Sequence, residues 1–379
     1  MKLALVRQRY NPFGGAERFV ERALQALAEQ RLQVTLITRA WPAGAGERDV
    51  RLCNPFFLGR LWRDAGFARA VQKLIVGGEF DLVQSHERIP GCSVYRAGDG
   101  VHATWLELRA QQQSPLARWF TRLHPWHRYT LAIEAKMFRH PSLRAVICNS
   151  HMVREDIARR FAVAEDRLHV IHNGVDLEHF HAGLKHQHRT VLRDQLGIPD
   201  ATPVVLYVGS GFARKGVPQL LQAMTAMQHD KAVAVIVGKD KHARRMQTLA
   251  RKLGLAARVH FAGPQQDVRP WYGMADVLAL PTLYDPFPNV VLEALACGLP
   301  VMTTPTSGAA EVLRGKDCGR ICDALDTRAQ AIALDSLLES DPKALEASAR
   351  ASVAALGPED MGQRLQALYR TLLPGDSPA

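Results

Sequence analysis

The chain has no apolar run long enough to cross a bilayer; no stretch approaches the roughly 18 consecutive apolar residues that a spanning helix needs. Met1–Arg7 holds too short an apolar run for a signal peptide and has no small-residue cleavage site before the next charges. A cytoplasmic location is therefore expected. Cysteine is sparse, six in 379 residues, and scattered; only Cys318 and Cys322 are close. No His or Cys pair stands at zinc-finger spacing from them, so buried free thiols are expected rather than disulfides or a metal knot. The sequence also lacks an Asp-x-Asp triplet, a low-complexity block and any repeat of about 20–50 residues.

What is present is an ordinary globular composition, 47% hydrophobic and 22% charged, which excludes disorder for the bulk of the chain. The 48 Lys and Arg exceed the 37 Asp and Glu, and the excess is unevenly placed. Residues 1–170 carry 26 basic against 16 acidic groups, residues 171–379 carry 22 against 21. A polyanionic partner of the first half fits this asymmetry, as does a basic soluble surface without one.

Short Val/Ile-rich runs alternate with longer amphipathic stretches. Strands are expected at Lys2–Arg7, Gln33–Thr38, Asp81–Ser85, Ser93–Ala97, Ala145–Asn149, Leu168–His172, Val204–Gly209, Ala232–Gly238, Arg258–Ala262, Asp276–Pro281 and Pro300–Thr304. Many are apolar throughout, the pattern of parallel strands buried on both faces. Helical periodicity marks Ala16–Glu29, Met152–Arg160, Val217–Ala226, Ala243–Leu253 and Met361–Leu373. Eleven strands exceed one sheet of usual size, and the alternation restarts after residue 175. Two doubly wound, Rossmann-like α/β domains facing a cleft are expected, with the cleft as the ligand site. Six His between residues 169 and 188 suggest a solvated, partly helical linker rather than a metal site.

Three segments carry chemistry. Gly209-Ser-Gly-Phe-Ala-Arg214-Lys215-Gly216 follows a strand and opens a helix. Glycine lets backbone N–H groups approach an anion, the helix start adds its dipole, and Arg214 and Lys215 add two cations. The spacing fits neither a G-x-G-x-x-G fingerprint nor a P-loop. A plain strand–helix turn is the alternative. In the second segment, Asp285 lies in a Pro-rich loop with Phe287, Pro288 and Asn289, and Glu293 follows inside a helix. Carboxylates there could accept sugar hydroxyls or simply complement the helix dipole. In the third, Gly14-Gly15 after the first strand permits close approach to a ligand.

These three segments, in this order, resemble the GT-B fold, retaining glycosyltransferases of family 4. Pro12–Gly15, Gly91–Asp99, Val208–Val217 and Val237–Lys241 further resemble the lipopolysaccharide-core glucosyltransferases, which add the first hexose to inner-core heptose. The resemblance implies an acceptor-side domain over residues 1–174 and a nucleotide-sugar domain over 175–357. It also implies a C-terminal helix and tail over 358–379 that packs back on the first domain. It implies that Arg214 and Lys215 neutralise the donor diphosphate, that Glu293 grips the ribose, and that Asp285 holds hexose hydroxyls. Gly209, Phe287, Pro288 and Asn289 line the donor site, and Gly14 and Gly15 approach the diphosphate from the other domain. Asp99 faces the reacting sugar as a catalytic or acceptor-orienting carboxylate. UDP-glucose is the expected donor, lipid-linked core glycan the acceptor, and neither a metal nor a cofactor is expected. Other donors and acceptors, a sugar-nucleotide epimerase and a basic nucleic-acid-binding protein are the alternatives. The chain departs from the family pattern where Asp285 replaces Glu, Pro288 replaces Gly, and Phe19 replaces an acidic residue.

Between Val101 and His140, basic and aromatic residues interleave with only Glu107 and Glu134 for counter-charge. Trp105, Arg109, Arg118, Trp119, Arg122, Trp126 and Arg128 suit the interface of an anionic membrane. Peripheral association with the cytoplasmic face of the inner membrane is the expectation; a buried helix pair and a nucleic-acid surface are the alternatives.

Overall fold

The computed structural model describes residues 2–9, 33–40 and 49–372. The chain divides into two compact units. The first comprises residues 1–174 with 358–379, the second residues 175–357.

The first unit runs β1 (Lys2–Val6), β2 (Gln33–Thr38), β3 (Val50–Leu52), α1 (Gly59–Val76), β4 (Leu82–Ser85) and β5 (Val94–Arg96). It continues with α2 (His102–Ala110), α3 (Pro115–Leu123), α4 (Pro125–Phe138), β6 (Ala145–Cys148), α5 (His151–Phe161) and β7 (Leu168–Val170). The second unit contains α6 (Leu184–Gln195), β8 (Val204–Val208), α7 (Val217–Ala226), β9 (Val233–Val237), α8 (Ala243–Lys252), β10 (Val259–Gly263) and α9 (Arg269–Met274). Then come β11 (Val277–Ala279), α10 (Asn289–Ala296), β12 (Val301–Thr303), β13 (Gly319–Ile321), α11 (Thr327–Glu339) and α12 (Pro342–Val353). The last helix, α13 (Pro358–Leu372), returns to the first unit.

Each unit is built on one sheet, ordered β3-β2-β1-β4-β5-β6-β7 and β10-β9-β8-β11-β12-β13, with every pairing parallel. Both orders reverse direction in the middle, between β1 and β4 and between β8 and β11. Such reversals leave a crevice at the carboxyl ends of two adjacent strands, where open α/β sheets bind ligands.

Strand alternation sets the core of the first unit. Ala4 and Val6 pack on one face with Val83, Tyr95, Val146 and helical residues Phe67, Val71, Met137 and Ile157. Leu3 and Leu5 point to the other face, with Leu36, Leu82, Val94 and Ile147. That second face is covered by Met361, Leu365, Leu368, Tyr369 and Leu372 of α13. Full burial of such side chains is worth about 1.5–3 kcal/mol each, so the last helix is a substantial part of this unit's stability. In the second unit one continuous core surrounds a sheet whose β8 and β9 are buried at every residue.

The His-rich stretch is more tightly held than a solvated linker. Helix α6 packs on α9, so closely that a Cβ on Gly273 would lie 2.4 Å from the Leu184 carbonyl oxygen. Arg193 is fully buried and its guanidinium donates to Met274 O, Asp200 O, Thr202 O and Asp276 Oδ2. The charge is tolerated because every face of the fork finds an acceptor. Four of the six cysteines are buried, Cys53 and Cys322 half-buried, and all six are free thiols.

Candidate active site

In the second unit the chemistry-bearing segments meet at the sheet's reversal point. Strand β8 ends at Val208 and the turn runs from Gly209 to Gly216; strand β11, its neighbour, leads into the loop 280–288. Gly216 adopts φ +84, and a Cβ there would lie 1.9 Å from the Pro281 carbonyl oxygen. Only glycine lets the two loops touch backbone to backbone. The contact is stitched by Leu283 N donating to Arg214 O at 2.9 Å and by Arg214 Nη1 donating to Tyr284 O at 2.7 Å. On the other flank, Phe212 N donates to Asp240 Oδ2 at 2.8 Å, tying the turn to the loop after β9.

This framework brings Arg214, Lys215 and Asp285 together. Lys215 Nζ lies 3.0 Å and Arg214 Nη1 3.9 Å from Asp285 Oδ2. Asp285 is buried, and Lys215 is largely covered, whereas Arg214 keeps about a third of its side chain exposed. One carboxylate thus faces two cations, leaving a local surplus of positive charge beside an N–H-rich turn. Gly209 adjoins the Lys215 stem, since a Cβ on Gly209 would lie 3.1 Å from Lys215 Cδ. Phe287 and Pro288 are buried, and Asn289 is half-buried at the start of α10, where Pro288 occupies the cap position.

Glu293 lies farther along α10, buried, and accepts a 2.8 Å hydrogen bond from Tyr272 Oη of α9. Sequence reading missed Tyr272, because α9 is only six residues long and carries no motif. It also missed Asp240, and Tyr207, whose hydroxyl is buried beside Gly209 with no hydrogen-bond partner among the described residues. Gly14, Gly15 and Phe19 lie outside the described residues.

In the first unit, Asp99 is exposed in the loop after β5 and lines a cavity of about 140 Å³. The cavity opens at the β1/β4 reversal, where Gln8 N donates to Glu87 Oε1 at 3.0 Å. Its wall includes Arg60, Asp64, Arg88 and Trp126. Asp64 is partly buried, which alone would raise its pKa. Hydrogen bonds from Arg63, Trp126 and Gln8 outweigh burial and hold it below the usual carboxylate value. Burial pushes Glu87 up. Arg88 bridges Glu134 Oε1 at 2.7 Å and Gly100 O at 3.0 Å, fixing the loop that carries Asp99. Nearby, His102 Nε2 and His127 Nδ1 are 2.9 Å apart. Burial, then Arg88 and His127, holds His102 at about 3; burial, then His124, holds His127 at about 4.

Helix α3 has no buried residue, and Trp119, Arg118 and Arg122 stand exposed on it, as does Arg128 on α4. Trp105, Arg109 and Trp126 are half-buried, and Trp126 is turned inward by its Nε1–H bond to Asp64. Among the described residues no helix is long and apolar enough to cross a membrane.

Residues 13–179 match the family model described as Glycosyltransferase Family 4, and residues 188–353 match Glycosyl transferases group 1. The chain is a glycosyltransferase. Its two parallel-sheet units are the domains of the GT-B fold. This glycosyltransferase is 27% identical over 325 residues to lipopolysaccharide glucosyltransferase WaaG of Escherichia coli K12, with 85% of each chain covered. The crystal structure of WaaG, described as involved in lipopolysaccharide biosynthesis, superimposes with a TM-score of 0.82. Identity there is 25%, over 98% of this chain and 100% of the other. A D-inositol 3-phosphate glycosyltransferase of Xylanimonas cellulosilytica is 31% identical over 234 residues, covering 59% of this chain and 56% of that one.

Proposed function

We propose that this glycosyltransferase moves a hexose, with retention of configuration, from UDP-glucose to the inner-core heptose of a lipopolysaccharide precursor. The observation carrying the proposal is the Arg214–Lys215–Asp285 cluster on its glycine turn, together with the similarity to WaaG across most of the chain. As the anomeric C–O bond to the diphosphate breaks, charge collects on the leaving oxygen. Arg214 and Lys215 then bind it more strongly than in the ground state, which lowers the barrier. Two cations do the neutralising that a divalent ion does elsewhere, so no metal is required. The acceptor hydroxyl bonds to the anomeric carbon, and its proton passes to the departing phosphate.

Asp285 has two tasks, holding Lys215 in place and accepting hexose hydroxyls. Glu293 grips the ribose, oriented by Tyr272, and Gly209, Phe287, Pro288 and Asn289 frame the donor. Gly14 and Gly15 supply the first domain's contribution to the diphosphate. Asp99 stabilises positive charge on the reacting sugar or orients the acceptor, whose sugar enters the cavity beside it. The exposed basic-aromatic face of α3 and its neighbours, with Trp119 at its centre, rests on the cytoplasmic face of the inner membrane, where a lipid-linked acceptor is presented.

The test is transfer from UDP-glucose to core acceptor, with donor binding followed by calorimetry. Arg214→Ala and Lys215→Ala should each lower kcat about 10²-fold or more, the scale of losing one charge-stabilising donor. Activity near wild type in both variants refutes the donor-site assignment. Stronger thermal stabilisation by UDP-N-acetylglucosamine, UDP-galactose or GDP-mannose than by UDP-glucose refutes the choice of donor.

A further inference from the structure

A second apolar surface lies around the start of α1, which touches the start of α4 through Arg60 and Trp126. Phe56, Phe57 and Leu58 are consecutive and 78%, 37% and 76% exposed, and Leu61 and Trp62 follow at 36% and 50%. Such a run is costly on a soluble surface unless something covers it. The segment is ordered into a knob: the Phe56 and Trp62 rings meet edge to face at 5.7 Å, and the Arg39 guanidinium sits 4.2 Å above Phe57. Leu58 occupies the cap position of α1 without a side-chain hydrogen bond, where a polar residue would normally stand.

Helix α3 exposes Leu116, Trp119, Phe120 and Leu123, one stripe at helical spacing. Trp126 links knob and stripe. It is the second residue of α4, three after Leu123, carries the Arg60 guanidinium 3.4 Å above its ring, and donates to Asp64. Arg60 is 61% exposed, and residues 115–128 contain Arg118, Arg122 and Arg128 without one acidic group. Apolar tips rimmed by arginine fit an anionic bilayer, with rings at the acyl boundary and guanidinium groups at lipid phosphates.

We infer that Phe56–Trp62 is a second bilayer-inserting wedge, acting with α3, so that the enzyme grips the membrane at two adjacent points. The inference rests on the membrane-surface reading proposed above. It is tested by co-sedimentation of the full chain with vesicles of phosphatidylcholine containing about 30% phosphatidylglycerol, and with phosphatidylcholine alone. Phe56→Ser/Trp62→Ser should weaken binding to the anionic vesicles about tenfold, as should Trp119→Ser/Phe120→Ser, with little binding to neutral vesicles by any form. Should the first variant fold poorly, quenching by brominated lipid gives a second readout: wild type should lose more tryptophan emission than Trp62→Phe. Wild-type binding by the knob variant, with loss only in the α3 variant, overturns the wedge and leaves the membrane reading intact. Failure of wild type to sediment overturns both. Equal binding to neutral vesicles overturns the charge argument, and a wild-type dimer abolished by Phe56→Ser/Trp62→Ser gives the knob to a second copy of the chain.

Discussion

The Tyr272–Glu293 pair shows how the carboxylate proposed to grip the ribose is held in place. A buried carboxylate needs hydrogen-bond donors, and Tyr272 Oη supplies one from a neighbouring helix at 2.8 Å. Tyr272→Phe should raise the KM for the nucleotide sugar about three- to tenfold, the scale of one ordinary hydrogen bond lost from a carboxylate that keeps its charge, with kcat little changed. Steady-state kinetics checks this, and an unchanged KM would free Glu293 from dependence on Tyr272. The His102–His127 pair makes a second prediction. With folded-state values of about 3 and 4 against an ordinary 6.5, both rings are neutral when folded. The unfolded chain takes up protons near pH 6.5, so the pair's stabilisation is complete above that pH and declines as pH falls toward 3–4. His102→Gln should flatten the fall in melting temperature between pH 6.5 and 4, measured by calorimetry; parallel curves would show that the ring is not desolvated as described.

At the scale of elements, what the sequence could disclose was decided by burial. The eleven expected strands correspond to strands of the two sheets, because runs such as Val204–Val208 are apolar throughout and lie inside. The two that escaped are β3 and β13, three residues each, with Arg51 and Arg320 at their centres. Both are sheet edges, where among the described residues one flank meets no neighbour and no apolar pattern is required. Helix Ala16–Glu29 lies outside the described residues. The site was legible where glycine and charge had to be adjacent in sequence, at Gly209–Gly216. It was illegible where the partner came from a distant element, as with Tyr272, Asp240 and Tyr207. The Gly216–Pro281 contact gives this scale its test. Gly216→Ala forces a Cβ into a carbonyl at 1.9 Å and should cost roughly 2–4 kcal/mol with loss of donor binding. Gly254→Ala, at φ +74 with nothing within 4 Å, bears only the left-handed strain, about 1–2 kcal/mol, and should bind donor normally. Chemical denaturation and calorimetry separate the two; equal costs would deny the loop contact its importance.

For the whole molecule, α13 ties the end of the chain to its beginning. Tyr369 Oη hydrogen-bonds Gln84 of β4, and five apolar side chains of α13 cover one face of the first sheet. A chain ending at residue 357 should show a strongly lowered first-unit transition in calorimetry while the second-unit transition stays in place. Coincident loss of both would mean that the units melt as one. The arrangement also sets an order of events during synthesis. Residues 175–357 hold their own core, so the second unit can close while the polypeptide is still being made. The first-made sheet keeps a leucine-lined face open to solvent until the final helix emerges, roughly 10–40 s later at usual elongation rates. Through that interval Leu3, Leu5 and Leu82 lack the cover that α13 gives them, so the earliest strands wait for a partner more than 275 residues away in the chain.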